Sequence, residues 1–330
     1  MSRREQRILG PKTIMLAIVL LLTIGISPWP ADGAEKYPSR PITLIVPYAP
    51  GGASDLASKV MADKISEFLG QPIVSQYRPG GGGSLGAALV AKAKPDGYTI
   101  LVGSSTPLVL SPIVKKMDYQ LEDFIPLGIY GETPIWVVVK KDAPWKNLSE
   151  FVAEAKASPG KITVTSYGRL TIADFTIEML AKQAGVQFKH VPYKATPEAI
   201  TAVLGGNGQA AFTTGAGGLL ESGTIRILAA AADQRIEGLD IPTFKEEGFP
   251  ISITSSYTFC LPKGTPTEII DTLSAAQKKA LEKYGREIQE KMARVEVWAR
   301  PMTSQETMDK YRKDYGIYYK LAEELGVVAK

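Results

Sequence analysis

Four stretches of this chain combine glycine with serine or threonine directly after an apolar run: Ala49–Ser54, Gly103–Thr106, Ser166–Gly168 and Thr213–Gly218. Glycine lets the backbone turn sharply and brings its N–H groups close to a bound molecule. Serine and threonine add hydroxyls that donate or accept. Where a helix starts immediately afterwards, its first N–H groups are unpaired and sit at the positive end of the helix dipole. Together these features hold an anion without any arginine. On an open α/β sheet, such loops lie beyond the carboxyl ends of the strands, where ligands collect. One such loop is equally an ordinary turn, but four of them argue for a ligand site.

Residues suited to making or breaking bonds are sparse. His190 is the sole histidine and Cys260 the sole cysteine. No HExxH motif occurs, so no metal site is expected, and one cysteine forms no disulfide within the chain. The glycine cluster Gly80–Gly83 is not read as a nucleotide loop, because GxxxxGK[ST] is absent. No cofactor is expected. A Cys260–His190 nucleophile pair lacks a recognisable third residue. Cys260 lies in the apolar segment TFCLP and reads as a buried small hydrophobe. His190 ends an apolar strand and reads as structural or at a cleft rim. Asp55 either faces a ligand amine or hydroxyl or caps the helix that begins there, and the cap is the simpler reading. Tyr48, Trp136 and Tyr167 offer aromatic walls. Core packing suits Trp136 best, whereas Tyr167, between Ser166 and Gly168, suits a cleft.

The elements that must position these loops alternate strand and helix. Ile42–Val46 reads as a buried strand, and Leu56, Val60, Ile65 and Leu69 form one face of a helix stopped by Gly70. A strand at Pro72–Tyr77, a helix over Leu85–Ala93 and a strand at Tyr98–Val102 follow. The middle repeats the pattern, with strands at Ile135–Val139, Ile162–Thr165, Phe188–Val191, Ala210–Thr213 and Ile225–Ala231. Helices follow Asn147, span Ile172–Gln183 with Gly185 as the C′ glycine, and span Thr196–Leu204. The tail predicts helices over Pro266–Lys283, Tyr284–Val295 and Thr303–Leu325. This pattern predicts two α/β lobes with largely parallel sheets, and a helical tail packing back on the first lobe.

Arg3, Arg4, Arg7 and Lys12 precede the apolar stretch Ile14–Ile26, followed by Pro28, Pro30, Ala31, Gly33 and Ala34. That order predicts an export signal over residues 1–34, cleaved near Gly33 or Ala34, and hence a periplasmic location. The formal net charge is +4, of which residues 1–34 contribute half. The near-neutral remainder has no basic stripe, so no nucleic-acid partner is expected.

The segments YPSRPITLIVPYAPGGASD, RPGGGGSLGA, KPDGYTILVGSS, HVPYKATPEAITAVLGG, DIPTFKEEGFP and LPKGTP, in this order, resemble the periplasmic solute-binding proteins of tripartite tricarboxylate transporters, the Bug or TctC-like family. The likeness runs over the whole chain after the signal. It implies a two-lobe clamshell of the type II-like periplasmic-binding-protein kind, not an enzyme, with each lobe a mixed sheet flanked by helices. The implied lobes are 35–136 with 257–330, and 137–256. It implies capture of a small organic acid, mono- or dicarboxylate and aromatic acids included. The acid passes to a transporter with a large and a small membrane subunit. Alternatives are a ligand-sensing subunit of a signalling system or an exported α/β hydrolase. Carried over, the resemblance points in the first lobe to Tyr48, Ala49, Gly52, Ala53, Ser54, Asp55, Gly83, Ser84, Ser104 and Ser105. In the second lobe it points to Ser166, Tyr167, Gly168, Thr171, Thr213 and Thr214. The chain departs from the family at Thr213, where an aspartate is usual, and near Gln209. A neutral residue there disfavours a ligand amine and relieves repulsion of a second carboxylate. Tyr167 replaces a small residue, which implies either a smaller cavity or a stacking surface for an aromatic acid.

Overall fold

The computed structural model describes residues 36–216, 219, 222–236 and 238–329. The expected export signal, and Gly217 and Gly218 of the last glycine-rich stretch, lie outside the described residues.

The chain forms two lobes, each built on its own sheet. In the first, β1 (Ile42–Val46) lies between parallel β2 (Ile73–Tyr77) and β3 (Thr99–Ser104). Four of the five residues of β1 are buried, because helices cover both faces of the sheet. On one face, Met61 and Ile65 of α1 (Ala53–Leu69) share a core with Leu273 and Ala280 of α7 (Thr267–Ala293). The other face carries α2 (Ser84–Ala91), the short α3 (Ser111–Val114) and α8 (Ser304–Leu325).

Two long strands join the lobes. β4 runs from Phe124 to Lys140, pairing with antiparallel β9 (Thr254–Pro262) as far as Pro134 and with second-lobe strands from Ile135 onward. The sequence pattern predicted only its second half as a strand. The first half carries Pro126, Gly128 and Gly131, which the structure absorbs as register shifts between Pro126 and Gly131. β9 was not predicted at all. The two-residue strand β10 (Trp298–Ala299) pairs with β4 beside the crossing.

In the second lobe, β4 is flanked by antiparallel β7 (Ala210–Thr214) and β8 (Ile225–Ala230). Beyond β7 lie parallel β5 (Thr163–Ser166) and β6 (Lys189–Pro192). Phe151 of α4 (Leu148–Ala157) and Phe175 and Leu180 of α5 (Ile172–Ala184) cover one face. Ile200 and Val203 of α6 (Thr196–Leu204) cover the other.

The tail packs on the first lobe as expected, with one difference. α7 is a single helix of 27 residues where two were predicted. Its buried stripe runs from Leu273 through Ala280 to Ile288 and Met292, across Gly285. Packing on both sides of that glycine outweighs the roughly 1 kcal/mol it costs a helix. α8 begins with a capping box, in which the Thr303 hydroxyl accepts from Glu306 N–H and the Glu306 carboxylate accepts from Thr303 N–H. Among the described residues, no helix is long and apolar enough to cross a membrane.

Candidate functional site

The lobes meet around a small, nearly closed cavity. Its first-lobe wall begins where β1 ends. The chain turns through Gly51, whose φ is 86°, and α1 starts at Ala53 with no side chain capping it. The opening N–H groups of α1 are therefore unspent on capping side chains, and Gly52, Ala53 and Ser54 line the cavity. Asp55 sits in the same helical turn but does not line it. Its carboxylate accepts from Gly51 N–H at 2.8 Å, Lys59 Nζ at 3.0 Å and the Tyr77 hydroxyl at 3.1 Å. The sequence favoured a cap here, but Gly51 precedes the helix, so Asp55 braces the turn before α1 and does not cap it.

Tyr48 and Ser104 complete this wall. The Tyr48 hydroxyl donates to Gly82 O at 3.0 Å and lies 3.4 Å from Ser104 Oγ. Its close seat against the glycine cluster requires Gly83, where a Cβ would stand 3.1 Å from the Tyr48 ring. Burial pushes the Tyr48 phenol up to about 12. Ala49 and Ser105 are not in the lining. Ser105 turns to β9, accepting from Ser256 N–H at 3.2 Å. The Ser84 hydroxyl donates to Gly81 O at 2.9 Å.

From the second lobe come Tyr167, Ala195, Thr196 and Thr214. Tyr167 packs edge-on against Tyr48, with ring centroids 6.0 Å apart, so it narrows the space between the lobes. Beside it, Ile172 N–H donates across the lobes to Thr106 Oγ1 at 3.3 Å. Ala195 and Thr196 open α6, which also has no side-chain cap. Of the remaining expected residues, Gly83 and Gly168 border an adjoining depression that shares Tyr48 and Tyr167 with the cavity. Thr171 caps α5, accepting from Asp174 N–H, and Thr213 donates to Gly215 O at 2.9 Å.

Ser166 has a different set of partners. Its Oγ shares a hydrogen bond of 2.7 Å with His190 Nε2, and His190 Nδ1 lies 2.8 Å from Asp174 Oδ1. Cys260, by contrast, lies in the first-lobe sheet opposite Leu101 and Pro126, so the Cys260–His190 pair is not formed. Ser166 is fully buried, does not line the cavity, and also bonds Gly168 N–H and O. Asp174 further accepts from Leu170 N–H at 2.6 Å, holding Leu170 at a φ of 55°. The network thus fixes the loop that carries Tyr167 into the cleft.

Four cavity residues escaped the sequence reading: Ala195, Thr196, Ser255 and Tyr257. The first two lie within HVPYKATPEAI, where an alanine and a proline-led helix start already marked a turn. Ser255 and Tyr257 share one face of β9 by strand alternation. Tyr257 is directly opposite Ser104 in the antiparallel pair, so the two side chains emerge together. Burial pushes the Tyr167 and Tyr257 phenols above their ordinary range. Trp136 is core, donating to Thr133 Oγ1 and packing on Trp298.

Among the described residues, the lining contains hydroxyls, small residues and aromatic rings, and no charged side chain. Among the described residues, no group of three or more His, Cys, Asp or Glu could hold a metal. The glycine cluster does match two spellings, GxGxxG from Gly81 and GxSxG from Gly82, both ending at Gly86. Neither spelling carries its usual chemistry here. Gly81 O and Gly82 O accept from Ser84 and Tyr48, and the sole histidine is bonded to Ser166. The arrangement suits binding of a small anion by N–H and O–H donors.

Two lobes closing on such a cavity define the class of two-lobe solute-binding proteins, and the comparisons narrow the class. A family model described as tripartite tricarboxylate transporter family receptor matches residues 57–324. The chain is 38% identical over 266 residues to the UPF0065 protein in gbd 5'region of Cupriavidus necator, covering 78% of this chain and 80% of that one. It is 33% identical over 280 residues to protein BugT of Bordetella pertussis, covering 82% and 85%. The structure of R. palustris Rpa4515 with adipate superposes with a TM-score of 0.83 at 26% identity, covering 89% of this chain and 100% of that one. MatC from Rhodopseudomonas palustris with bound malate gives 0.80 at 25%, covering 86% and 99%. The chain belongs to the tripartite tricarboxylate transporter receptor family, a family of periplasmic solute-binding proteins.

Proposed function

We propose that this protein captures a small organic carboxylate between its lobes, outside the inner membrane, and delivers it to a tripartite membrane transporter. The observation that carries this reading is the pair of uncapped helix starts, α1 from the first lobe and α6 from the second, bordering one cavity with no charged side chain among the described residues. Each start offers a positive dipole end to a carboxylate, with the N–H groups of Ala53 and Ser54 in α1 and that of Thr196 in α6, where Pro197 has none. Water leaves as the lobes close, which strengthens every hydrogen bond to the solute. The mechanism is capture and closure, with no bond made or broken. Relatives in complex with adipate and malate support the solute class.

In the same proposal, residues 1–34 direct export and are cleaved near Gly33 or Ala34. The expected lobes are 35–136 with 257–330, and 137–256; the strand pairings support a division of this kind, with the crossing in β4 between Pro134 and Ile135 and in β9 before Thr254. Tyr48, Gly52, Ala53, Ser54 and Ser104 contact the solute from the first lobe, and Tyr167 and Thr214 from the second. The rival hydrolase reading draws on Ser166, His190 and Asp174, but a sealed serine outside the cavity meets no substrate. Denaturing the purified protein and weighing the released small molecule tests the function. A released organic acid that rebinds in calorimetry supports it. A released amine or neutral molecule, with no binding of acids, sinks it.

A further inference from the structure

We propose that the depression beside the cavity is its entry vestibule, where Lys115 and Lys194, one from each lobe, draw anionic solutes inward by charge without holding them once bound. This rests on reading the cavity as a carboxylate site. Tyr48 and Tyr167 belong to both spaces, so the depression lies directly outside the two rings that narrow the cavity. Lys194 and Glu198 in its wall are exposed, so it opens to solvent. Lys115 follows α3 in the first lobe, and Lys194 precedes α6 in the second. With the described residues, neither ammonium forms an ion pair or a hydrogen bond. Arg169 also lines the depression, but its guanidinium is answered by Asp174 at 3.3 Å and Glu178 at 4.0 Å. Among the described residues, Glu198 is the one carboxylate in the lining, and it accepts from the Lys194 backbone N–H at 3.2 Å.

Charge is thus divided between two places. The cavity has no charged side chain among the described residues, and unpaired positive charge stands at its mouth. The chain after residue 34 is close to neutral overall, so this excess is local and not the fringe of a basic protein. A cleft lined by one sign of charge focuses the field and raises the arrival rate of the opposite charge by about ten-fold or more. An ammonium on a flexible, hydrated stem suits attraction at a distance better than recognition of one particular acid. The N–H and O–H donors inside therefore set how long an acid stays, and the ammonium groups outside set how often it arrives. A neutral solute of the same shape gains nothing from the mouth.

Stopped-flow fluorescence on the mature protein tests this. Calorimetry over succinate, malate, adipate, hexanoate and benzoate first chooses the probe, the acid with the lowest Kd. Its association rate constant should fall about ten-fold between about 0.01 M and about 0.15 M ionic strength, as the screening length shrinks from about 30 Å to about 8 Å. The double variant Lys115→Gln/Lys194→Gln should lose about ten-fold in association rate at the lower ionic strength, and most of the salt dependence with it. Its dissociation rate constant should stay within about two-fold. Lys115→Arg/Lys194→Arg keeps the charge and should keep the rate. Lys278→Gln removes an exposed charge from α7, on the opposite face of the first-lobe sheet, and should change neither constant. An association rate indifferent to salt and to the double variant, an equal loss in Lys278→Gln, or a loss carried by dissociation overturns the inference. The wild-type salt series decides alone should the variants fail to fold. Binding of none of the five acids would instead overturn the carboxylate reading beneath it.

Discussion

Around Ser166, a hydroxyl, an imidazole and a carboxylate are spent on one another, whereas the residues Ser104, Thr214, Ser255 and Tyr257 line the cavity. The first group has the residue types of a catalytic triad and sits in the interior of the second lobe. The second has no ionised side chain and sits where the lobes meet. Residue type therefore marks neither place. What separates them is place: one cluster closes on itself in the interior, and the other borders a cavity. Groups closed on one another hold shape, and hydroxyls on a cavity wall can meet a ligand.

The strongest way to break this contrast is to remove the carboxylate of the braced network. Asp174 and His190 side chains are 3% and 5% exposed, so Asp174→Ala leaves an imidazole and the Leu170 N–H without their partner. Urea denaturation should show a loss of about 3 kcal/mol, in the range for breaking a buried pair. The folded fraction should still bind the solute. Unchanged stability with abolished binding would move this network from the scaffold into the site.

Next in size is a charge placed on the cavity wall. Thr214 borders the cavity, so Thr214→Asp puts a carboxylate against an anionic solute, and calorimetry should register a loss of about 100-fold or more. Thr213 makes the sharper control. It is fully buried, off the cavity and bonded to Gly215 O. Thr213→Asp should lower the melting temperature more than it lowers the affinity of the protein that remains folded. Equal affinity losses at both positions would place Thr213 in the site after all.

Alkaline titration gives a smaller effect, and comparing wild type with Tyr48→Phe isolates one cavity phenol from the other buried tyrosines. Burial raises the Tyr48 phenol from 10.0 to about 12 and raises Tyr167 and Tyr257 in the same direction. The unfolded chain therefore loses these protons first. The associated stability is fully present below about pH 10 and is lost as pH climbs through the folded value. The slope is at most about 1.4 kcal/mol per pH unit for each such tyrosine. Tyr48→Phe should flatten the fall measured by urea denaturation above about pH 10 by one tyrosine's share. An unchanged slope would show that Tyr48 ionises normally in the folded protein.

The two regions also differ in how legible they were. Glycine and proline punctuation, with apolar runs of strand length, exposed most of the β-loop-α order and the first-lobe loop from Tyr48 to Asp55. The first half of β4 and all of β9 stayed hidden because what holds them is each other. Pro126, Gly128 and Gly131 look like breaks until bulged pairing with β9 accommodates them. Ser255 and Tyr257 went with β9, since only the pairing of Tyr257 with Ser104 carries them to the cavity. Ser166 and His190 were separately visible. Their meeting depends on parallel pairing of β5 with β6, which no local pattern spells out.

The smallest expected effect is the most direct test of what the braced network is for. Ser166→Ala deletes the hydroxyl shared with His190 and Gly168 but leaves the β5 backbone and the His190–Asp174 contact in place. A neutral buried hydrogen bond is worth about 1 kcal/mol, so urea denaturation should show a loss of that order. Solute affinity should stay within about three-fold, because Tyr167 loses one of several restraints on its loop and no contact of its own. A nucleophile behaves differently. Removing it would abolish turnover of an ester substrate that the wild-type protein hydrolyses, with little change in stability. Measuring both on the same variant separates the two roles, since a scaffold hydroxyl moves the denaturation midpoint and a nucleophile moves the rate.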